Sequence, residues 1–468
     1  MIGGFMQSSD TSGGVRRRWK LRWTLRWKLC AALAVALTGC AASPQELHAP
    51  VDRLVGERLN ARAPLSGLAP AELDSLLASP LTVEVAVRIA LAQSPRLRAA
   101  LDELDVAGGE VAAALGLGPV TIEAKARFGG DRDEYELDAV QNVLGLIAAP
   151  SRRAAANAEL AAARATAAAA ALRLAAKVEI AFNDLAAAEQ DVALRRTGLA
   201  AAEAAATLRE RMHDAGNTTD LALARDREAR EQAKIDLARA TAAATAPREA
   251  LNALLGLSGT RTTWTAAASL RALPDAAPAL DDLEARAAAA SLELTAGRDR
   301  RDAAEHRAST ERLRTFVPEL GLGVAIAADT GGEHLGVGPA IQLGLPLFDF
   351  RSGERAKANA LVRRADHELT AQTAELAAAA RAARITARAA YQEARQLTDQ
   401  VVPLRQQILD QTLAHYNAMD ADPFALILAR RDVLDGAHQL ADATRRYWNA
   451  MAEVTAPSRG AMLGGNEP

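Results

Sequence analysis

Val337-Gly338-Pro339-Ala340-Ile341-Gln342-Leu343-Gly344-Leu345-Pro346-Leu347-Phe348-Asp349-Phe350-Arg351-Ser352-Gly353 changes its period once, and that change decides the fold. Up to Leu347, large apolar side chains at 337, 341, 343, 345 and 347 alternate with Gly338, Ala340, Gln342, Gly344 and Pro346, the two-residue period of a strand with one apolar face. From Ser352 the pattern is helical and runs to Ala418, with Pro403 its one interruption. At 1.5 Å per residue, about 65 such residues span roughly 95 to 100 Å, far beyond a globular helix. A strand therefore feeds a very long helix.

The same plan occurs earlier in the chain. At a shift of about 200 residues Ser94-Pro95-Arg96-Leu97 meets Ser291-Leu292-Glu293-Leu294, Pro119 meets Pro318, Ser151 meets Ser352 and Gly198 meets Pro403. Each half reads as a short helix, two strands, a long helix, a tight break and a shorter returning helix. In Val120-Thr121-Ile122-Glu123-Ala124-Lys125-Ala126-Arg127-Phe128 the even positions are apolar and the odd ones polar or charged. Leu320, Leu322, Val324 and Ile326 alternate with glycine and alanine. Such runs suit a barrel wall with lipid outside and a wet lumen inside, with Thr121, Glu123, Lys125 and Arg127 on the lumen side; a half-buried sheet gives the same alternation. Tyr135 to Asp138 alternates, but Ala139 to Ile147 loses the period and reads as an amphipathic turn.

The first long helix is expected from Ser151 to His213, interrupted only at Gly198. Val178, Leu185, Val192 and Leu199 recur every seven residues, as do Leu369, Leu376, Ala383, Ala390, Leu397 and Leu404, the mark of a left-handed coiled coil. Alanine, roughly a quarter of the chain, lets such helices approach closely, and aromatic residues are only 3%; a compact enzyme core is a poor match.

Seven basic residues between Arg16 and Lys28 precede the apolar segment Leu29 to Leu37, too short to span a membrane and right for a signal peptide. Leu37-Thr38-Gly39-Cys40 then resembles the bacterial lipoprotein box, so residues 1–39 are expected to be removed and Cys40 to carry lipid. With Cys30 inside the leader, the mature chain has no disulfide and no thiolate metal site. Its charge falls from −3 to about −9, which gives no case for nucleic acid. The seven histidines are dispersed and no Gly-rich phosphate loop is present, so no catalytic, cofactor or metal site is assigned.

The strand from Val337, with its Pro346-Leu347-Phe348-Asp349 step into the long helix, is similar to the last strand of the TolC-like outer-membrane efflux channels. Leu81 to Pro95 resembles that family's opening helix and Val402-Pro403-Leu404 its proline in the second long helix. The resemblance implies a mainly α chain with a transmembrane β-barrel: a homotrimer in which each chain gives four strands to a twelve-stranded barrel and its helices to a periplasmic tunnel. It also implies a periplasmic adaptor (membrane fusion) protein, an inner-membrane pump of the RND or ABC class, and a passive conduit in the outer membrane. The expected divisions are 40–80, a lipid-anchored extension; 81–256, the first repeat; 257–280, a linker; 281–456, the second repeat; and 457–468, a flexible tail. Asp214-Ala215-Gly216-Asn217-Thr218-Thr219 and Met419-Asp420-Ala421-Asp422-Pro423 read as tight reversals. They would be periplasmic tips, with Gly216, Asn217, Met419, Asp420 and Asp422 facing the adaptor. Where some family members carry pore-narrowing aspartates this chain has Ala222, Arg225, Ala425 and Leu428. Two other readings compete: a structural coiled-coil lipoprotein that conducts nothing, which the strands disfavour, and a metal-ion exporter, for which six methionines and no Met or His cluster give no support.

Overall fold

The computed structural model describes residues 43–60, 65, 67–116, 119–128, 133–267, 270–316, 319–329, 335–344 and 351–463. The leader, Cys40 and the Leu345 to Phe350 step lie outside them. Helices α1 (Pro44–Leu59), α2 (Pro70–Leu77), α3 (Val83–Gln93) and α4 (Pro95–Leu115) lead into strands β1 (Val120–Arg127) and β2 (Glu134–Asn142). Then come α5 (Leu144–Asp214), α6 (Asp220–Ala243) and α7 (Thr245–Leu255). The second half repeats the order with α8 (Leu283–Ala290), α9 (Leu292–Phe316), β3 (Glu319–Asp329), β4 (Leu335–Gly344), α10 (Ser352–Gln396), α11 (Val402–Asn417) and α12 (Pro423–Arg459). Ser94 and Ser291 join their helix pairs with the same backbone, φ −60° with ψ 120° and φ −60° with ψ 121°. The repeat therefore extends to backbone geometry at its joints. No described helix is long and apolar enough to cross a membrane.

The helices flank one another in the order α6, α5, α12 and then α10 continued by α11. Alanine dominates the contacts: Ala168, Ala171, Ala175, Ala387 and Ala394 are fully buried, and small side chains let neighbouring helices come close. Ion pairs fasten the margins. Arg227 reaches Glu210 at 3.0 Å between α6 and α5, Arg445 reaches Asp184 at 3.0 Å between α12 and α5, and Arg446 reaches Glu393 at 2.8 Å between α12 and α10. Helices α6 and α11 stand at the two edges of this layer.

Three sequence expectations need correction. The first long helix begins at Leu144 and carries Pro150 inside it, and it passes through Gly198 unbroken. Gly198 is not a break: the nearest atom to a Cβ built there is Leu434 Cδ1 at 3.9 Å. Packing along a 71-residue helix outweighs a single weak former, whose propensity cost is about 1 kcal/mol. Second, β2 continues through Ala139 to Asn142 rather than turning. Third, the heptad series in the second half loses phase. Val178, Leu185 and Leu376 are buried, but Leu404 is 54% exposed. A π-helical turn, Leu397–Val401, precedes Pro403. The wider turn accommodates a proline that lacks a donor and crowds the carbonyl four residues back. The extra residue rotates α11 by about 100° relative to α10, which moves Leu404 off the seam.

The segment after the first repeat folds back onto it. Leu81 bridges Ala266, buried Trp264 donates to Asn252 at 2.8 Å, and Arg248 donates to the Trp264 carbonyl while lying over its ring. Helix α1 docks antiparallel to α4, with Leu47 against Gly108 and His48 3.0 Å from Asp105. At its far end Arg58 donates to the carbonyls of Ala290 and Arg459, both at 2.6 Å. One guanidinium thus closes the C-termini of α8 and α12, where backbone carbonyls lack intrahelical partners.

Candidate functional site: the strand wall and the hairpin tips

The strands form one antiparallel sheet in the order β1-β2-β3-β4. The register pairs Glu123 with Asp138, Lys125 with Glu136 and Arg127 with Glu134, then Asp138 with Ala325 and Gly323 with Ala340. Paired residues share a face, so Thr121, Glu123, Lys125 and Arg127 lie together with Glu136, Asp138 and the glycines and alanines of β3 and β4. The other face carries Ile122, Leu137, Ile326 and Val337. That apolar face is open: Ile122 is 68%, Val337 65% and Ile341 72% exposed. A soluble sheet would cover such a face with a second layer. On the polar face Asp138 is only 7% exposed, its Oδ2 2.8 Å from Lys125 Nζ.

Strands of 8 to 11 residues match the length of a tilted membrane strand. At one end of the sheet Phe128 meets Tyr135 edge to face at 6.3 Å, an aromatic pair of the kind that marks a membrane interface. Why β2 holds its strand beyond Ala139 is clear from the register. Val140 turns to the polar face and Gln141 to the apolar one, which spoils the alternation, yet both sit between partners on β1 and β3. Gly323 permits this approach, since a Cβ there would stand 2.0 Å from the Ala139 carbonyl oxygen.

At the opposite end of α5 the two reversals share one backbone plan. Ala215 donates to Arg211, Gly216 to His213 and Asn217 to Met212; Ala418 donates to Ala414, Met419 to Tyr416 and Asp420 to His415. Gly216 at φ 77° and Met419 at φ 60° occupy the same left-handed position. Thr219 then accepts from Ala222 N, and Asp422 from Phe424 N, as N-caps of the returning helices. Met419 is 96% exposed. Each tip also holds a histidine beside an aspartate, His213 with Asp220 at 2.7 Å and His415 with Asp420 at 2.9 Å.

One contact between the hairpins was not foreseen from the sequence. Arg209, on α5 two turns above the first tip, pairs with Asp226 at 2.5 Å, donates to Thr218 at 3.0 Å and lies over the Phe424 ring of the second hairpin, 3.0 Å from its centroid. Nothing in residue spacing signals a partner 215 positions away in the chain. Among the described residues no group of His, Cys, Asp and Glu is arranged to hold a metal ion.

A four-stranded open sheet set on two hairpins of coiled-coil helices, built as an internal repeat, is the fold of the TolC-like outer-membrane efflux channels. The chain superposes on the outer membrane protein VceC of Vibrio cholerae with a TM-score of 0.66 and 18% identity, over 81% of this chain and 96% of VceC. It also superposes on the CmeC outer membrane channel of Campylobacter jejuni (TM-score 0.63, 14% identity, 82% and 87% covered) and on the open state of the MtrE outer membrane channel of Neisseria gonorrhoeae (0.58, 18%, 81% and 89%). No family model and no curated protein matches the sequence.

Proposed function

We propose that three copies of this chain close their sheets into one twelve-stranded barrel in the outer membrane and form a passive conduit from the periplasm to the exterior. The observation that carries the reading is the sheet itself: one face apolar and exposed, the other carrying the strand charges, with β1 and β4 ending the sheet on either side. Unpaired edges cannot stay open in hydrocarbon. The helical layer ends in the same sense, with first-repeat α6 on one side and second-repeat α11 on the other. Joining one chain's last edge to the next chain's first edge is a head-to-tail contact that closes into a ring. Two chains would give eight strands, whose interior side chains fill; three leave a lumen.

The remaining assignments extend that reading. Thr121, Glu123, Lys125 and Arg127 line the lumen. Gly216, Asn217, Met419, Asp420 and Asp422 form a tip about 105 Å from the barrel, taking 1.5 Å for each residue of α5, and dock a periplasmic adaptor that couples the conduit to an inner-membrane pump of the RND or ABC class. The antiparallel packing of α1 on α4, which leads into β1, carries Ser43 toward the strand end and supports a lipid on Cys40, three residues earlier. The chain acts as a channel and not as an enzyme.

Labelling of intact cells tests the topology. A cysteine at Phe128 should react with a maleimide carrying a polymer too large for porins, and one at Met419 should react only after the outer membrane is opened. The reverse pattern, or equal labelling of both, would refute it.

A further inference from the structure

Just below the strands the chain changes its charge. The three turns of α4, α5, α9 and α10 nearest the sheet, residues 105–115, 144–154, 306–316 and 351–361, hold eight Lys and Arg against four Asp and Glu. That is +4 in a mature chain of about −9. Carboxylates neutralise few of these cations. Arg314 and Arg351 share Glu311, at 3.0 and 3.1 Å. Arg152 donates to the Gly145 carbonyl at 2.9 Å, and Arg312 to the neutral side chain of Asn359 at 3.5 Å. Among the described residues the side chains of Arg153, Arg355 and Lys357 meet no acceptor, and all three are exposed. Nor do they serve their helices: α5 and α10 begin at the sheet, and positive charge is unfavourable in the first turns of a helix.

We propose that these cations form a collar that binds the anionic headgroups of glycerophospholipids in the periplasmic leaflet of the outer membrane. The inference rests on the closed-barrel reading above, which puts the strand ends at the hydrocarbon boundary. Nine residues of β2 at about 3.4 Å and a 45° tilt rise about 22 Å, against an apolar band of about 25 Å. The headgroup layer occupies about the next 5 to 8 Å. Leu146 and Ile147, 50% and 57% exposed, are apolar side chains at that edge, and Arg153 lies seven residues after Leu146, on the same face of α5. Side chains lean toward the N-terminus of their helix, so Arg153, Arg355 and Lys357 lean back toward the bilayer. Basic clusters beside a membrane attract anionic lipid, by about 1 kcal/mol or fivefold for each cation near the surface.

The test presents the purified full-length protein, in neutral detergent, with equal amounts of phosphatidylglycerol and phosphatidylethanolamine, and counts lipid adducts by native mass spectrometry. Phosphatidylglycerol adducts should exceed phosphatidylethanolamine adducts at least about fivefold. The triple variant Arg153→Gln, Arg355→Gln, Lys357→Gln should bring the ratio toward one, and each single variant should lower it in part. Arg153→Lys with Arg355→Lys should keep it. So should Arg211→Gln with Arg225→Gln and Arg431→Gln, which removes the same charge near the opposite end of the molecule. A ratio near one in the natural chain, as would follow if the cations pair instead with Glu103 and Glu110 on α4 of a neighbouring copy, overturns the inference and leaves the barrel standing. An equal loss in the two triple variants overturns it as well. If the natural chain forms no protease-resistant barrel in vesicles of either lipid, the barrel reading falls, and the inference with it.

Discussion

Arginine at Ile122 and arginine at Glu123 should have opposite consequences, although the positions are neighbours. Ile122 sits on the apolar face, 68% exposed in the single chain, and less than two residues from the middle of β1. At about 3.4 Å per residue and a tilt near 45°, that puts it about 4 Å from the bilayer midplane. An arginine on the lipid face there costs about 2 to 4 kcal/mol per chain, or roughly 30- to 700-fold in the insertion equilibrium at 1.4 kcal/mol per decade. Glu123 faces Asp138 across the polar side, where an arginine meets water and carboxylates. The assay is denaturant-dependent folding into lipid vesicles, with the barrel followed by its resistance to protease. Ile122→Arg should shift the midpoint strongly to lower denaturant, and Glu123→Arg should insert like the natural chain. Equal damage at the two positions, or greater damage at Glu123, would refute the assignment of the faces.

Arg58→Ala should release the ends of α8 and α12, since each of the two 2.6 Å bonds is a charged-donor contact contributing about 1.5 to 3 kcal/mol; hydrogen exchange should quicken at both helix ends and not at the distal tips. Met419→Gly should stabilise the second tip by about 1 kcal/mol, because a non-glycine residue holds the left-handed conformation at a cost of that order, and thermal denaturation in detergent would report it. Burial holds the Asp52 carboxyl above its ordinary range, and its Oδ1 has no hydrogen-bond partner. A raised folded-state value makes ionised Asp52 destabilising at neutral pH, a penalty that disappears as pH falls below the unfolded carboxyl value. Asp52→Asn should therefore raise the melting temperature at pH 7 and lose that advantage toward pH 4. Cysteines at Asn217 and Asp420 should crosslink to the cognate adaptor in cells, and one at Phe128 should not; the inverse result would turn the molecule upside down.

The features legible in the sequence are those whose cause is local. Alternation in β1 comes from residues two apart, and the tips show themselves by Gly216-Asn217 with Thr219 and by Asp422-Pro423, whose caps act within four residues. Strand β2 was only half legible, because Val140 and Gln141 break the alternation while ladders on both sides keep the strand extended. Gly198 reads as an interruption and the helix is expected only from Ser151, yet packing along its length carries it through Gly198 and back past Pro150 to Leu144. The phase slip at Leu404 required knowing how Pro403 is absorbed, and a π turn leaves no mark in composition. Arg58 and Arg209 escaped altogether, since each acts on carbonyls or a ring far away in the chain.

Native mass spectrometry of the complex released from the outer membrane bears most directly on the closed barrel. The account predicts a single species of three mature chains, each beginning at Cys40 and heavier by its attached lipid. A monomer or a dimer as the largest intact species would contradict it, because four or eight strands cannot enclose the lumen on which the proposed conduit depends.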